Sequence, residues 1–104
     1  NPYLAYSVML SAALDGVDRE LQPSKPLNNI NVYNMSREER QQKHVVELPG
    51  SLHEALSLLE QDKVIKNSLG ESIYSAFVRA KQEEWEDYRL KVMDWEVKRY
   101  LETT

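Results

Sequence analysis

The sequence lacks cysteine entirely and has only three glycines, each standing alone. Without cysteine there are no disulfides, thiolate metal ligands or cysteine nucleophiles. Isolated glycines exclude a glycine-rich phosphate-binding loop or a dinucleotide-binding fingerprint. The longest uncharged run, residues 1–14, is shorter than the roughly 20 residues that span a membrane, and it has no basic flank like that of a signal peptide. We therefore expect a cytoplasmic protein with no membrane partner.

The sequence also lacks an excess of basic charge. Its 13 lysines and arginines are interleaved with 17 acidic residues, and the net charge is −4. Proteins that bind nucleic acids usually concentrate lysine and arginine on one face. We therefore expect no nucleic-acid partner. The 104 residues suffice for one modest hydrophobic core.

No arrangement of residues typical of catalysis is present. The two histidines, His44 and His53, do not have the spacing of zinc ligands. The acidic run 83–87 lies in a helical pattern, where neighbouring carboxylates diverge and cannot converge on one ion. We predict no catalytic, cofactor-binding or metal-binding residues in this chain.

The N-terminal segment 1–20 is predicted to be a buried helix. Asn1 followed by Pro2 is typical of a helix start. The residues that follow leave no polar side, and a helix that is apolar all round must be covered all round. We expect this cover to come from an upstream part of a longer protein, from a neighbouring subunit, or from self-association. The residues predicted to form the buried face are Tyr3, Leu4, Tyr6, Met9 and Leu10.

Residues 21–50 are rich in proline and asparagine, which predicts a long loop. Ser36 and Glu39 form a capping-box pattern that predicts one short helix through Gln42. The following segment, 44–48, is expected to be extended. Tyr33 is a candidate modification site if it is exposed, and otherwise it pins the loop to the core.

Residues 51–104 are predicted to be helical. Ser51 and Glu54 form a second capping-box pattern, Asp62 is placed to cap a short helix, and Gly70 to end it with a left-handed residue. A long last helix is expected from about Glu71 to the C-terminus. Its apolar positions follow alternating steps of three and four residues, with Lys81 as the single interruption: Tyr74, Val78, Trp85, Tyr88, Val92 and Trp95.

Near the C-terminus the apolar stripe moves to another face of the helix. This change predicts a bend near 92–94 or a second partner surface for the last turns. Large aromatic residues here suit either the core of a helical bundle or an anchor between subunits. The predicted subunit interface consists of Met93, Val97, Tyr100 and Leu101.

Several segments resemble type I glutamine synthetases, in the family's order and from end to end of the chain. They are NPYLAY at 1–6, MLSAALDGV at 9–17, NVYNM at 31–35, LPGSLHEAL at 48–56 and WEVKRYL at 95–101. The ending resembles the shorter, feedback-inhibited form of the family, although Met93 and His53 depart from the usual pattern. The chain is thus expected to be the mainly α, C-terminal helical fragment of a larger α+β catalytic domain, with 1–104 as a single segment.

The resemblance implies an enzyme that joins glutamate and ammonia using ATP and Mg²⁺ or Mn²⁺. In that family the metal-binding glutamates and substrate-binding arginines lie upstream of the segment resembled here, so the chain alone is expected to be inactive. Twelve subunits form two stacked hexamers, and the C-terminal helix reaches the opposite ring, a role implied for the interface residues above. Tyr33 aligns with the tyrosine that is adenylylated in the longer form. The alternative is a stand-alone helical module for protein interaction.

Overall fold

The computed structural model describes residues 1–101 and is mainly helical, which confirms the predicted fold class. A single turn of 3₁₀ helix at Val32–Asn34 lies in the loop between the first two α-helices. In chain order the α-helices are α1 (Pro2–Asp18), α2 (Arg37–Gln42), α3 (Leu52–Gln61), α4 (Lys63–Leu69), α5 (Glu71–Arg89) and α6 (Asp94–Tyr100).

Side-chain caps begin the first two helices where the sequence predicts them. The Oδ1 atom of Asn1 accepts a hydrogen bond from the backbone N–H of Tyr3 at 3.0 Å. At α2, the N–H of Glu39 donates to the Oγ of Ser36, and the N–H of Ser36 donates to the Oε2 of Glu39 at 2.7 Å. These bonds satisfy backbone donors that a helix start otherwise leaves unpaired.

Side chains also cap α3 and α4, but one bond of the α3 cap joins a different residue from the one in the capping-box pattern. The N–H of Glu54 donates to the Oγ of Ser51 at 3.1 Å. The Glu54 carboxylate, however, accepts from the N–H of Gly50 rather than from that of Ser51. Asp62 caps α4 by accepting from the N–H of Ile65 at 3.0 Å, as predicted. Gly70 separates α4 from α5 with φ +72° and ψ 157°, a conformation essentially confined to glycine.

The prediction of an extended segment starting at His44 is wrong at its first residue. His44 has a φ of +54° and follows the last turn of α2. The N–H of His44 donates to the carbonyl of Gln41, and the N–H of Val45 donates to the carbonyl of Arg40 at 2.8 Å. This pair of bonds is a Schellman motif, in which the residue after the cap must be left-handed. Helix termination therefore decides the conformation of His44.

The long last helix expected from Glu71 is interrupted, close to the predicted bend near 92–94, and its predicted end at the C-terminus lies outside the described residues. Helix α5 ends at Arg89, and four non-helical residues, 90–93, precede α6. Met93 is the N-cap residue of α6 and is extended, with φ −84° and ψ 148°. Its backbone N–H donates to the Oε2 of Glu96 at 2.8 Å. This bond stabilises the new helix start although Met93 lacks the oxygen of a typical cap.

Helix α4 is the centre of the packing. It contacts α1 on one side and α3 and α5 on the other, while α3 also contacts α5. The described hydrophobic core consists of Leu56, Leu69 and Val78, one residue from each of α3, α4 and α5. Within the described chain α2 and α6 lie outside this packing and make no extensive contact with another helix.

The molecule is elongated for its length. Its Cα radius of gyration is 18.8 Å, and its principal extents are 59 × 43 × 22 Å. A compact domain of about 100 residues has a radius of gyration of about 13 Å. Most apolar side chains consequently remain in contact with solvent, among them residues of the long loop, of α1 and of α6.

Candidate functional site

The outer face of α1 is the first candidate functional surface. At 3.6 residues per turn, one side of this helix carries only apolar side chains, and that side lies opposite the contact with α4. Tyr3 is 83% exposed, Tyr6 is 72% exposed, and Leu10 is 62% exposed. No residue of α1 is fully buried within the described chain. The outer face consists of Tyr3, Tyr6, Met9, Leu10, Leu14 and Val17.

Leu4 belongs to the inner face of α1 rather than to the outer face. It is half-buried, as is Val8 one turn later. Both residues line an apolar cleft of about 320 Å³ together with residues of α3, α4 and α5, among them Leu59, Ile65 and Phe77. The five residues predicted to form one buried face are therefore divided, with Leu4 facing its own chain and the other four exposed.

A cluster of three serine hydroxyls joins α1 to α4. The Oγ of Ser11 donates to the Oγ of Ser68 at 2.8 Å. The Oγ of Ser7 lies 3.5 Å from the same atom. Sequence reasoning missed this cluster because the serines are about 60 positions apart. The signal in the sequence was that Ser7 and Ser11 are the only polar residues between Pro2 and Leu14 apart from the tyrosines, and they lie one helical turn apart.

Helix α6 carries the second candidate surface. Of the four predicted interface residues, Met93 and Val97 are about one-third exposed, at 38% and 36%. Tyr100 and Leu101 are 64% and 71% exposed. The ring of Trp95 meets that of Tyr100 edge-on, with 6.1 Å between centroids. The predicted residues thus lie on one short helix and at its two cap positions, apart from the packing of α1, α3, α4 and α5.

Tyr33 lies in the 3₁₀ turn of the long loop. Asn31 caps this turn by accepting from the backbone N–H of Tyr33 at 3.0 Å. The side chain of Tyr33 is 87% exposed. The alternative in which Tyr33 pins the loop to the core is therefore wrong for the described chain. A capped turn presents its phenol to solvent, which leaves the candidate modification site sterically accessible.

The junction of α3 and α5 contains an aromatic stack, and an ion pair of α5 lies close to it. His53 stacks on Trp85 with 5.9 Å between ring centroids. The Nε of Arg89 donates to the Oε2 of Glu86 at 2.6 Å. This hydrogen bond, reinforced by the positive charge of Arg89, lowers the pKa of the exposed Glu86 carboxyl below its ordinary value. Beside this junction lies an open groove of about 950 Å³ whose lining includes Trp85 and Tyr88.

The carboxylates of α5 do not form a metal site. Glu84 is paired with Lys81, and Glu86 is paired with Arg89. Among residues 1–101 no three histidine or acidic side chains are grouped so that they could hold an ion. The residues present therefore do not fit the divalent ions that the sequence resemblance implies for a whole enzyme. No described helix is long and apolar enough to cross a membrane.

Comparisons with known proteins match nearly the whole chain to one family. The family model described as glutamine synthetase, catalytic domain, matches residues 1–100. The chain is 50% identical to a glutamine synthetase of Thermus thermophilus over 103 residues, which are 99% of this chain and 23% of that protein. It is 42% identical to one of Staphylococcus epidermidis and 39% identical to one of Methanosarcina mazei. Each of these two matches covers 101 residues, 97% of this chain and 22% of the relative.

The chain matches only part of each relative. The chain spans less than a quarter of the length of the curated relatives just named. Within that span the identity of 39–50% and the family match include all six helices, from α1 through α6. The chain therefore belongs to the glutamine synthetase catalytic-domain family.

Proposed function

We propose that this chain is the C-terminal structural and assembly part of an ATP-dependent glutamate–ammonia ligase. The observation that carries the proposal is the family match over residues 1–100 combined with the small share of the relatives that the chain spans. In this proposal the metal ions and ATP are bound by other parts of the enzyme. The role of the present residues is to support those parts and to join subunits in the cytoplasm.

The outer face of α1 supports the first half of this role. Tyr3, Tyr6 and Leu10 are large apolar residues that a stable folded protein normally covers. Helix α1 is anchored on its other side by α4, so its outer face has a fixed position relative to the helical unit. The remainder of the catalytic domain is the proposed cover, and α1 is the helix that connects it with α3, α4 and α5.

Helix α6 supports the second half of the role. Its stripe of Met93, Val97, Tyr100 and Leu101 stands apart from the other helices and includes an exposed tyrosine, a residue type enriched at interfaces. In this proposal the stripe packs against a subunit of the opposite ring in a dodecamer. The exposed Tyr33 is a candidate modification site on the outside of that assembly.

A complementation experiment tests the proposed function. The full-length protein, a version that lacks residues 1–104 of this chain, and the 104-residue chain alone would be assayed for glutamine formation with ATP and Mg²⁺ or Mn²⁺. We expect activity from the full-length protein, and from the shortened version when it is co-expressed with the 104-residue chain. We expect no activity from the shortened version or from the chain alone. Activity of the chain alone that is lost on mutating its own residues would refute the proposal. Full activity of the shortened version would refute it as well.

A further inference from the structure

The break between α5 and α6 is not marked by a helix-breaking residue. From Glu71 through Leu101 the sequence contains neither glycine nor proline. Leucine, lysine and methionine, three of the four non-helical residues at 90–93, are good helix formers. Local propensity therefore favours one continuous helix, and another interaction must account for the interruption.

Packing within the described chain does not account for the interruption either. Helix α6 makes no extensive contact with another described helix, and the side chains on both sides of the break are exposed. A continuous helix would add backbone hydrogen bonds, because the N–H groups of Val92, Asp94 and Trp95 have no acceptor among the described residues. The interruption therefore depends on interactions at the break itself.

Glu96 makes the hydrogen bond that favours the interrupted form. Its Oε2 accepts from the backbone N–H of Met93 at 2.8 Å. The N–H groups of Glu96 and Val97 both donate to the carbonyl of Met93, at 2.9 and 3.1 Å, and close the first turn of α6. In a continuous helix the N–H of Met93 would instead donate to the carbonyl of Arg89, four residues earlier. The carboxylate of Glu96 would then lose its bond to Met93.

The charges around the break also suit two separate helix ends. Arg89 lies in the last turn of α5, and Asp94 and Glu96 lie in the first turn of α6. Basic residues stabilise the C-terminal end of a helix and acidic residues its N-terminal end, an effect that is absent from the middle of a continuous helix. We propose that Glu96 is a positioning residue, whose carboxylate selects the interrupted form and thereby sets the direction in which α6 leaves α5.

This selection decides where the stripe of α6 lies. In a continuous helix Tyr100 would lie about 18 Å beyond Tyr88 along the axis of α5, at 1.5 Å per residue. In the interrupted form a new helix begins at Asp94 after a non-helical segment, so the stripe takes another direction. The consequence for assembly rests on the proposed function, in which this stripe packs against the opposite ring.

Hydrogen exchange of the full-length protein, measured by mass spectrometry on peptides that cover 90–97, tests the role of Glu96. The side chain of Glu96 is exposed, so its substitution removes no buried packing. We expect exchange of these amides to slow at least about 10-fold in Glu96→Ala, because amides bonded within a continuous helix exchange only when the helix opens. Glu96→Gln keeps a cap oxygen, and Glu83→Ala removes an exposed carboxylate elsewhere on α5, so both should exchange like the parent.

A second substitution distinguishes a lost cap from a general loosening of α6. Met93→Ser supplies the side-chain oxygen that an N-cap residue usually has, so adding it to Glu96→Ala should restore the exchange rates of the parent. Exchange in Glu96→Ala that is faster than in the parent, or equal to it, would overturn the proposal. Slow exchange that Met93→Ser does not reverse would overturn it as well.

Analytical ultracentrifugation of the same full-length variants tests the consequence for assembly. We expect single rings for Glu96→Ala and the full assembly for Glu96→Gln and Glu83→Ala. Slowed exchange in Glu96→Ala together with an intact full assembly would support the role of Glu96 at the break and refute the inter-ring contact of the proposed function. Failure of the two proposals is therefore distinguishable.

Discussion

Gly70 and Gly16 have opposite conformational requirements. Gly70 has a φ of +72°, where a side chain is strained, whereas Gly16 lies inside α1 with open space where a Cβ would stand. We expect Gly70→Ala to lower the free energy of unfolding by about 1–2 kcal/mol, and Gly16→Ala to raise it by about 0.5–1 kcal/mol. Urea unfolding followed by circular dichroism measures both. The same sign for the two substitutions would contradict the conformation assigned to Gly70.

The pair of Glu86 and Arg89 gives a prediction about ionisation. The hydrogen bond from Arg89 holds the pKa of the Glu86 carboxyl below its ordinary value in the folded chain. The contribution of this pair to stability is therefore present above the carboxyl's ordinary pKa, and it is lost as pH falls through the lowered value. We expect Arg89→Gln to raise the pKa of Glu86 towards that ordinary value. Arg79→Gln, at an arginine earlier in α5, should leave it unchanged.

Carbon-detected NMR titration of the Glu86 carboxyl measures this effect. Both variants remove one positive charge, so a general change in net charge affects them equally. An equal rise in the pKa of Glu86 in both variants would mean that the hydrogen bond at 2.6 Å is not its cause.

At the level of single helices, Asp62 determines where α4 begins. Its carboxylate caps α4 at the point where α3 has just ended. We expect Asp62→Ala to lower the free energy of unfolding by about 1 kcal/mol, which is typical of a lost N-cap. Asp18→Ala is the matched control, because Asp18 lies at the C-terminal end of α1, where a negative charge opposes the helix dipole. A loss of stability in Asp18→Ala equal to that in Asp62→Ala would contradict the capping role.

Helix starts were predictable from the sequence because a cap involves residues within four positions of each other. Asn1, Ser36, Ser51 and Asp62 were each assigned correctly for this reason. The interruption between α5 and α6 was predictable only as a bend near 92–94, from the change of apolar face. That α5 ends as early as Arg89 was not predictable, since Met93 has no cap oxygen and its backbone N–H bonds to Glu96 instead.

The division of α1 into a packed inner face and an exposed outer face was also difficult to predict from the sequence. Apolar side chains occur on all sides of this helix, so periodicity alone does not identify the side that meets α4. That side is marked by Ser7 and Ser11, whose partner Ser68 lies on a helix about 60 residues away. The exposure of Tyr33 was not predictable either, because a side chain on a capped turn can point either towards or away from the core.

For the whole molecule, the small core and the elongated shape have a common explanation. Only three apolar residues are buried in the described chain, and the outer face of α1 and the surface of α6 each carry several of the uncovered ones. Because the chain spans under a quarter of its relatives, the proposed assembly supplies the missing cover. We propose that these surfaces bind other parts of a glutamine synthetase, with α6 making the contact between rings.

The most direct measurement is analytical ultracentrifugation of the full-length protein with Tyr100→Ala and Leu101→Ala combined, beside its parent and a Tyr88→Ala control on α5. Truncating a large interface residue typically costs about 2–4 kcal/mol, and alanine preserves helix formation. We predict that the double variant dissociates into single rings with unchanged helical content, whereas the parent and the control keep the full assembly. A double variant that keeps the parent's full size at low concentration would contradict the inter-ring role of α6.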